Sequence, residues 1–247
     1  MERLKKLKGF ENEIDFLNFQ VSQKYYELLN DYKRLFNEKL IIKSFLKQRL
    51  FARLLTFRAI QPSIIGLIKN KIENKLKKKF FLAPLFYIRY CHPGEFFNKT
   101  HKNALLYTEP HYDKYEFNNI GNSFWLPILP TSVKTGTLCY IKKNKKILDH
   151  FPVNQKNKYN IQNYITEHQK IDYLLKSRIE NVYCSKGDIL YFDQNVLHAA
   201  SGPISKMRLS LNFQVTYSKK YITSEKFNYT NNYLIHKNII NSLYFGD

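Results

Sequence analysis

Cysteine is scarce in this chain: there are three, Cys91, Cys139 and Cys184, scattered along 247 residues. No two form a CxxC pair, and the odd number argues against both a disulfide framework and a thiolate zinc site. The reduced cytosol suits such a chain best, so a cytoplasmic location is expected. No apolar run approaches the roughly 20 residues of a membrane span. The opening segment Met1-Glu2-Arg3-Leu4-Lys5-Lys6 lacks the apolar core of a signal peptide and runs into a charged helical pattern. Internal repeats and long linkers are missing as well, and the sequence reads as one domain over 1–247, monomeric or weakly oligomeric. Acidic residues are few, 20 against 40 Lys and Arg, giving a formal net charge of +20. That excess attracts anions of many kinds. It is lysine spread along the whole chain, which reads mainly as biased composition on a solvated surface. No nucleic-acid-binding motif accompanies it.

Aromatic and apolar residues are plentiful. Hydrophobic residues make up 44% of the chain, with 19 Tyr and 19 Phe, enough for a substantial core rich in half-buried strands. Residues 1–80 read as a helical N-terminal region. Ile14, Leu17, Val21, Leu28 and Leu35 recur at helical spacing over 10–38. A second amphipathic segment covers 39–60, with Ile42, Leu46, Leu50 and Leu54 on its stripe, until Gln61-Pro62-Ser63 interrupts it. Lys75–Lys79 reads as a solvated helix end.

From Phe80 the texture becomes that of strands: Leu85–Tyr90, Asn122–Leu129, Gly136–Ile141, Gly187–Phe192 and Met207–Tyr217. Many short strands with Gly and Pro turns suggest a β-sandwich or barrel over 81–217. The last strand is the most informative. Met207, Leu209, Leu211, Phe213 and Val215 form an apolar face, and Arg208, Ser210, Asn212, Gln214 and Thr216 a polar one. A slip of one residue would exchange the two faces. The polar face is expected to line the barrel interior near a reaction site, and the apolar face to be covered by the N-terminal helices. Residues 142–179 form a polar insertion, partly helical over 160–178, placed to contribute to the rim of the site. The 218–247 segment carries no motif.

One constellation carries chemistry. In His111-Tyr112-Asp113 the histidine and the carboxylate lie two residues apart, on one face of an extended segment. Pro110 favours extended backbone just before them. With His198 they make two imidazoles and a carboxylate, the facial set that holds non-haem Fe(II) with positions left open. Arg208 and Ser210, again on one strand face, suit a carboxylate of a bound acid. A turn at Ser201-Gly202-Pro203 allows a hairpin to bring Arg208 back beside the metal region.

The stretch from about Phe86 to Gln214 resembles the phytanoyl-CoA dioxygenase family of Fe(II)/2-oxoglutarate oxygenases. The resemblance rests on four ordered pieces: Tyr107–Asp113, Phe124-Trp125-Leu126-Pro127, Gly136-Thr137-Leu138, and Gly187 through Ser210. It implies a mainly β fold with α additions, a double-stranded β-helix (jelly roll, cupin-like) core packed by N-terminal helices. It implies that His111, Asp113 and His198 bind Fe(II) and carry the catalytic chemistry. It also implies that Arg208 pairs with the distal carboxylate of 2-oxoglutarate, that Ser210 assists, and that Trp125 stands near the co-substrate. The expected reaction consumes 2-oxoglutarate and O2, releases succinate and CO2, and hydroxylates a small or carrier-borne substrate. Asp113 separates the chain from related halogenases, which have a small residue there. Ala200 departs from the family pattern, in which a small hydroxyl residue assists the co-substrate.

Several positions stay open on sequence alone. Trp125 suits plain core as well as a pocket wall. Arg89 faces either pocket or solvent. Tyr107 and Thr108 are candidates for co-substrate contact. Asp193 either orients His198 or caps a turn. His92, His101, His150, His168 and His236 read as surface residues. Two other functions are compatible with the sequence: a metal-dependent jelly-roll binding module without turnover, and a basic nucleic-acid-binding protein. Succinate formation separates the first from an enzyme, and a steep salt dependence of oligonucleotide binding would favour the second.

Overall fold

The computed structural model describes residues 4–35, 62–91, 93, 108–113, 121–150, 174–202 and 205–217. Nine strands are present among them: β1 (Lys5–Leu7), β2 (Phe81–Cys91), β3 (Thr108–His111), β4 (Gly121–Pro127), β5 (Leu138–Ile141), β6 (Ile179–Val182), β7 (Ile189–Asp193), β8 (His198–Ala200) and β9 (Arg208–Thr216). They form a five-stranded sheet in the order β1-β7-β4-β9-β2 and a four-stranded sheet in the order β3-β8-β5-β6. All the pairings are antiparallel.

The pairing has a simple logic. β2 pairs with β9, β3 with β8, β4 with β7 and β5 with β6. The chain is thus a long antiparallel ribbon folded back on itself and rolled so that successive pairs fall alternately in the two sheets. The pairings β4·β9 and β5·β8 then close each sheet. This is a jelly roll, as the family resemblance implies.

The faces of β9 fall as its alternation requires. Leu209, Leu211, Phe213 and Val215 join the main core cluster, together with residues of two helices, α1 (Glu11–Leu35) and α2 (Pro62–Leu76). Helix α1 contributes Ile14, Leu17, Val21 and Leu28, and α2 contributes Ile64, Ile65, Ile68 and Ile72. Both stripes follow the three-and-four spacing of an amphipathic helix. Lys71 Nζ meets Glu13 Oε2 at 2.8 Å and ties the two helices together. Phe124 sits at the centre, stacked on Phe213 at 5.0 Å and on Phe80 and Tyr191 at 5.7 Å each. Phe124→Ala is therefore expected to destabilise the fold by about 3–5 kcal/mol, read as a lower denaturant midpoint. A loss below about 1 kcal/mol would mean that the ring stack is not central to the core.

The smaller sheet is covered from outside by a second cluster. Cys139, Ile141 and Ala199 pack there with Ile147 of a third helix, α3 (Lys145–His150), and with Leu175. Both ends of the predicted insertion are thereby fixed to the sheet. Its middle, 151–173, lies outside the described residues, as do 39–60 and 218–247.

Some expectations need correction. Lys5–Leu7 is not the start of a helix. It is an edge strand against β7, and its lysines keep that edge polar. Pro62 does not merely interrupt a helix but opens α2, since a helix's first turn needs no N–H from it. The polar insertion read over 142–179 turns helical at Lys145, ahead of the 160–178 helix expected within it, and its last residue, Ile179, already belongs to β6. Strand β2 begins at Phe81, earlier than Leu85, with a register irregularity between Leu82 and Phe86 around Pro84, which has no N–H for the ladder.

Candidate metal and co-substrate site

The inner faces of the two sheets enclose a pocket. Arg208, Asn212 and Gln214 of β9 line it, with Trp125 of β4, Phe192 of β7 and Arg89 of β2. The opposite wall is the smaller sheet, where β3 and β8 run side by side and His111 stands directly across from His198. Short strands do this work: β8 has three residues and β3 four, so neither shows a readable period in the sequence.

His111, Asp113 and His198 converge here, with one ligand atom from each lying within 4.8 Å of the others. Asp113 Oδ1 is 3.5 Å from both His111 Nε2 and His198 Nε2. The two imidazole centroids are 4.2 Å apart. Two ligands about 2.1 Å from one ion and at right angles to each other would lie about 3.0 Å apart. The three donor atoms are thus close enough together to face a single ion.

The orientation of His198 is fixed by a backbone group. Its Nδ1 lies 3.0 Å from the Val196 carbonyl. A carbonyl only accepts, so Nδ1 carries the proton and Nε2 turns its lone pair to the pocket. The Phe192 ring packs beside the imidazole at 4.7 Å. Asp193 is occupied elsewhere, accepting from Asn195 N at 2.7 Å and from Asn195 Nδ2 at 2.8 Å. Of the two roles open to it, Asp193 takes the turn.

The electrostatics suit a cation. Burial, with the charges of His111 and Arg89, lowers the pKa of His198 to about 4 against the pull of Asp113. The imidazole is thus neutral, the form that binds metals. Burial pushes the Asp113 carboxyl up, but His198 and His111 outweigh it and hold the group well below the usual carboxylate range. Two imidazole nitrogens and one carboxylate oxygen thus face one another, a donor set that fits Fe(II). The thiols do not compete: burial pushes Cys139 up to about 11 and Cys184 up to about 12, so both stay protonated.

Arg208 is almost completely closed off, at 1% exposure. Its Nη1 donates to the Ser201 carbonyl at 2.8 Å and its Nη2 to Cys91 Sγ at 3.4 Å. Gly136 makes the first contact possible. It has φ +68°, and a Cβ there would stand 2.4 Å from the Ser201 carbonyl oxygen. Gly136→Ala is expected to cost more than about 1 kcal/mol in stability. It should also displace the carbonyl that holds Arg208, and a denaturation curve of the variant measures the loss.

Trp125 lines the pocket and also belongs to the cluster between the sheets, so both of its readings hold. Arg89 faces the pocket, and Thr108 joins the wall, whereas Tyr107 lies outside the described residues. Ser210 is fully buried, with its Oγ 3.4 Å from Asn212 Oδ1, and is not among the lining residues. Ala200 does line the pocket. Leu138 and Phe192 also line the wall; both fall within the stretches that carry the family resemblance, though neither was given a role there. His150 ends α3, and His92, His101, His168 and His236 lie outside the described residues.

The profile of the family described as phytanoyl-CoA dioxygenase (PhyH) matches residues 24–208, about three quarters of the chain. The chain belongs to this family. Fe(II) and 2-oxoglutarate are the metal and co-substrate of the family, and His111, Asp113 and His198 form a group fit to hold the metal. The match begins at residue 24, earlier than the motifs alone suggest, and so takes in the C-terminal part of α1 and all of α2. No curated protein sequence matches the chain.

Among solved structures, EctD from S. alaskensis in its apoform is similar at a TM-score of 0.45 with 12% identity, over 87% of this chain and 73% of that one. The epimerase SnoN, in complex with Fe3+, alpha ketoglutarate and nogalamycin RO, is similar at 0.43 with 11% identity, over 87% and 79%. AviO1 from Streptomyces viridochromogenes Tue57 is similar at 0.39 with 9% identity, over 63% and 61%. The chain covers 52% of SnoN in a second structure and 27% of EvdMO1. These likenesses are distant, and the family assignment rests on the profile. No helix among the described residues is long and apolar enough to cross a membrane.

Proposed function

We propose that this PhyH-family protein is an active Fe(II)/2-oxoglutarate-dependent dioxygenase. In this reading it hydroxylates a small or carrier-borne substrate in the cytoplasm and releases succinate and CO2. The observation that carries the proposal is the convergence of His111, Asp113 and His198 in one pocket with the buried Arg208.

His111 Nε2, His198 Nε2 and the Asp113 carboxylate hold the metal. Iron and 2-oxoglutarate together supply the oxidising power, through O2 activation coupled to decarboxylation of the 2-oxo acid. The chain's own residues do the rest. The Val196 carbonyl keeps the proton of His198 on Nδ1, away from the metal side. Arg208, anchored through Ser201 and Cys91, offers its charge to the distal carboxylate of the co-substrate. A permanently charged guanidinium suits a two-point carboxylate pair. Ser210, next along the same strand face, supports that position. Trp125, Leu138 and Phe192 give the pocket an apolar wall that limits water and favours reaction with a bound substrate.

The deciding assay supplies Fe(II), 2-oxoglutarate, O2 and a reductant, and follows succinate across a metabolite screen. Iron-dependent succinate formation is expected, rising about tenfold or more when the true substrate is present. Binding of 2-oxoglutarate with no succinate under any of these conditions would mean a binding module rather than an enzyme.

A further inference from the structure

Strand β4 turns Trp125 and Ser123 to the pocket, two residues apart on one face. Trp125 belongs to the apolar wall, and Ser123 brings a hydroxyl into it. Ser123 is 3% exposed. Its Oγ is enclosed and completes no hydrogen bond among the described residues. Buried hydroxyls are paired as a rule, and an incomplete one beside a functional site calls for a reason.

Position says which group the hydroxyl serves. In the five-stranded sheet Ser123 stands between Phe192 of β7 and Gln214 of β9. Side chains directly opposite on one sheet face lie about 5 Å apart. Phe192 in turn packs against the His198 imidazole, so Ser123 looks toward the metal group. Arg208 is three same-face steps along β9 from Gln214, which sets Ser123 apart from the co-substrate's distal carboxylate. Within the metal group the neighbour is Asp113. Burial works against its charge and the two histidines work for it, and the Ser123 hydroxyl adds to their effect.

Asp113 aims Oδ1 at both imidazoles, 3.5 Å from each Nε2, so this is the oxygen that faces the ion. The other oxygen can accept a hydrogen bond, and an O–H donor is what a serine supplies. Metal-binding carboxylates are themselves held by such bonds, which fix their direction. We propose that Ser123 is a positioning residue for the metal: its hydroxyl donates to the Asp113 carboxylate and holds Oδ1 on the ion. The inference rests on the oxygenase reading and deepens it. A hydroxyl bonded to an ionised oxygen is among the shorter and stronger hydrogen bonds, which suits a group that must not turn.

The test compares Ser123→Ala with the parent, each as the full chain. Calorimetric titration with Co(II) reads metal affinity, and the visible absorption of the Co(II) complex reads the arrangement of its ligands. Ser123→Ala is expected to lower Co(II) affinity about tenfold or more, the usual effect of losing a group that orients a metal ligand. The Co(II) bands should shift as well, because the carboxylate is free to turn. A denaturation curve without metal should show no loss of stability, since the alanine gives up no completed hydrogen bond. At saturating Mn(II), 2-oxoglutarate should bind the variant within a few-fold of the parent.

Equal Co(II) affinity and identical bands in variant and parent would overturn the proposal. Lower stability with unchanged Co(II) affinity would make Ser123 a structural residue and overturn it too. Weaker 2-oxoglutarate binding with unchanged Co(II) affinity would assign the hydroxyl to the co-substrate, again against the proposal. In each of these cases the parent still binds metal and the oxygenase reading stands. If the parent itself takes up no Co(II) or Mn(II), the oxygenase reading fails first and takes this inference with it.

Discussion

Asp113→Asn is expected to lower divalent-metal affinity by more than about 100-fold and to abolish iron-dependent succinate formation. Asparagine keeps the size of the side chain but removes the one negative charge of the metal group. The carboxylate is nearly sealed, at 8% exposure, and lies equidistant from the two imidazole nitrogens. Loss of groups that merely orient metal ligands costs 10–100-fold in affinity, so loss of a ligand should cost more. Calorimetric titration with Mn(II) or Co(II) measures the change, and circular dichroism checks the fold. A structural alternative makes the opposite forecast. If Asp113 served only as an ion-pair partner of His198, Asp113→Asn would lower stability and leave metal affinity untouched. That outcome would remove the metal assignment and the oxygenase reading with it.

The parts of this molecule that were legible in its sequence share a physical basis. Strand β9 is long and two-faced, and its period of two states which residues meet the helices and which meet the pocket. The metal group was legible because each of its members has a donor of the right kind, and because an extended segment puts His111 and Asp113 on one face. Arg89 was not legible, although it lies on a predicted strand. Leu85, Phe86, Tyr87, Ile88 and Tyr90 put apolar or aromatic residues on both faces of that strand, so alternation does not say which face meets the pocket. The partner of His198 was hidden for another reason. Asp193 is a visible candidate in the sequence, but the group that orients the ring is the Val196 carbonyl, and a backbone oxygen has no sequence signature. Strands β1, β3, β6 and β8 have three or four residues each, too few for a period, and take their form from the neighbours that pair with them.

Arg208→Gln is expected to separate co-substrate from metal. The guanidinium sits on the five-stranded sheet, whereas His111 and His198 sit on the four-stranded sheet facing it. Removing its charge should therefore leave Mn(II) affinity within a few-fold of the parent. It should weaken 2-oxoglutarate binding about 30-fold or more, since truncating one partner of a buried charge pair costs at least about 2 kcal/mol. Stability should fall as well. The half-buried Ser201 carbonyl loses the donor that holds it at 2.8 Å, which costs about 1 kcal/mol. Arg208→Lys should fall between the two, because an ammonium keeps the charge but not the two-point geometry. Calorimetry on the Mn(II)-loaded variants, with a denaturation curve for each, resolves the three quantities. Equal 2-oxoglutarate affinity in Arg208→Gln and parent would show that the co-substrate's distal carboxylate is held elsewhere. A parallel loss of metal and co-substrate would show that Arg208 acts by keeping the two sheets in register, through Ser201 and Cys91, and not by touching the acid.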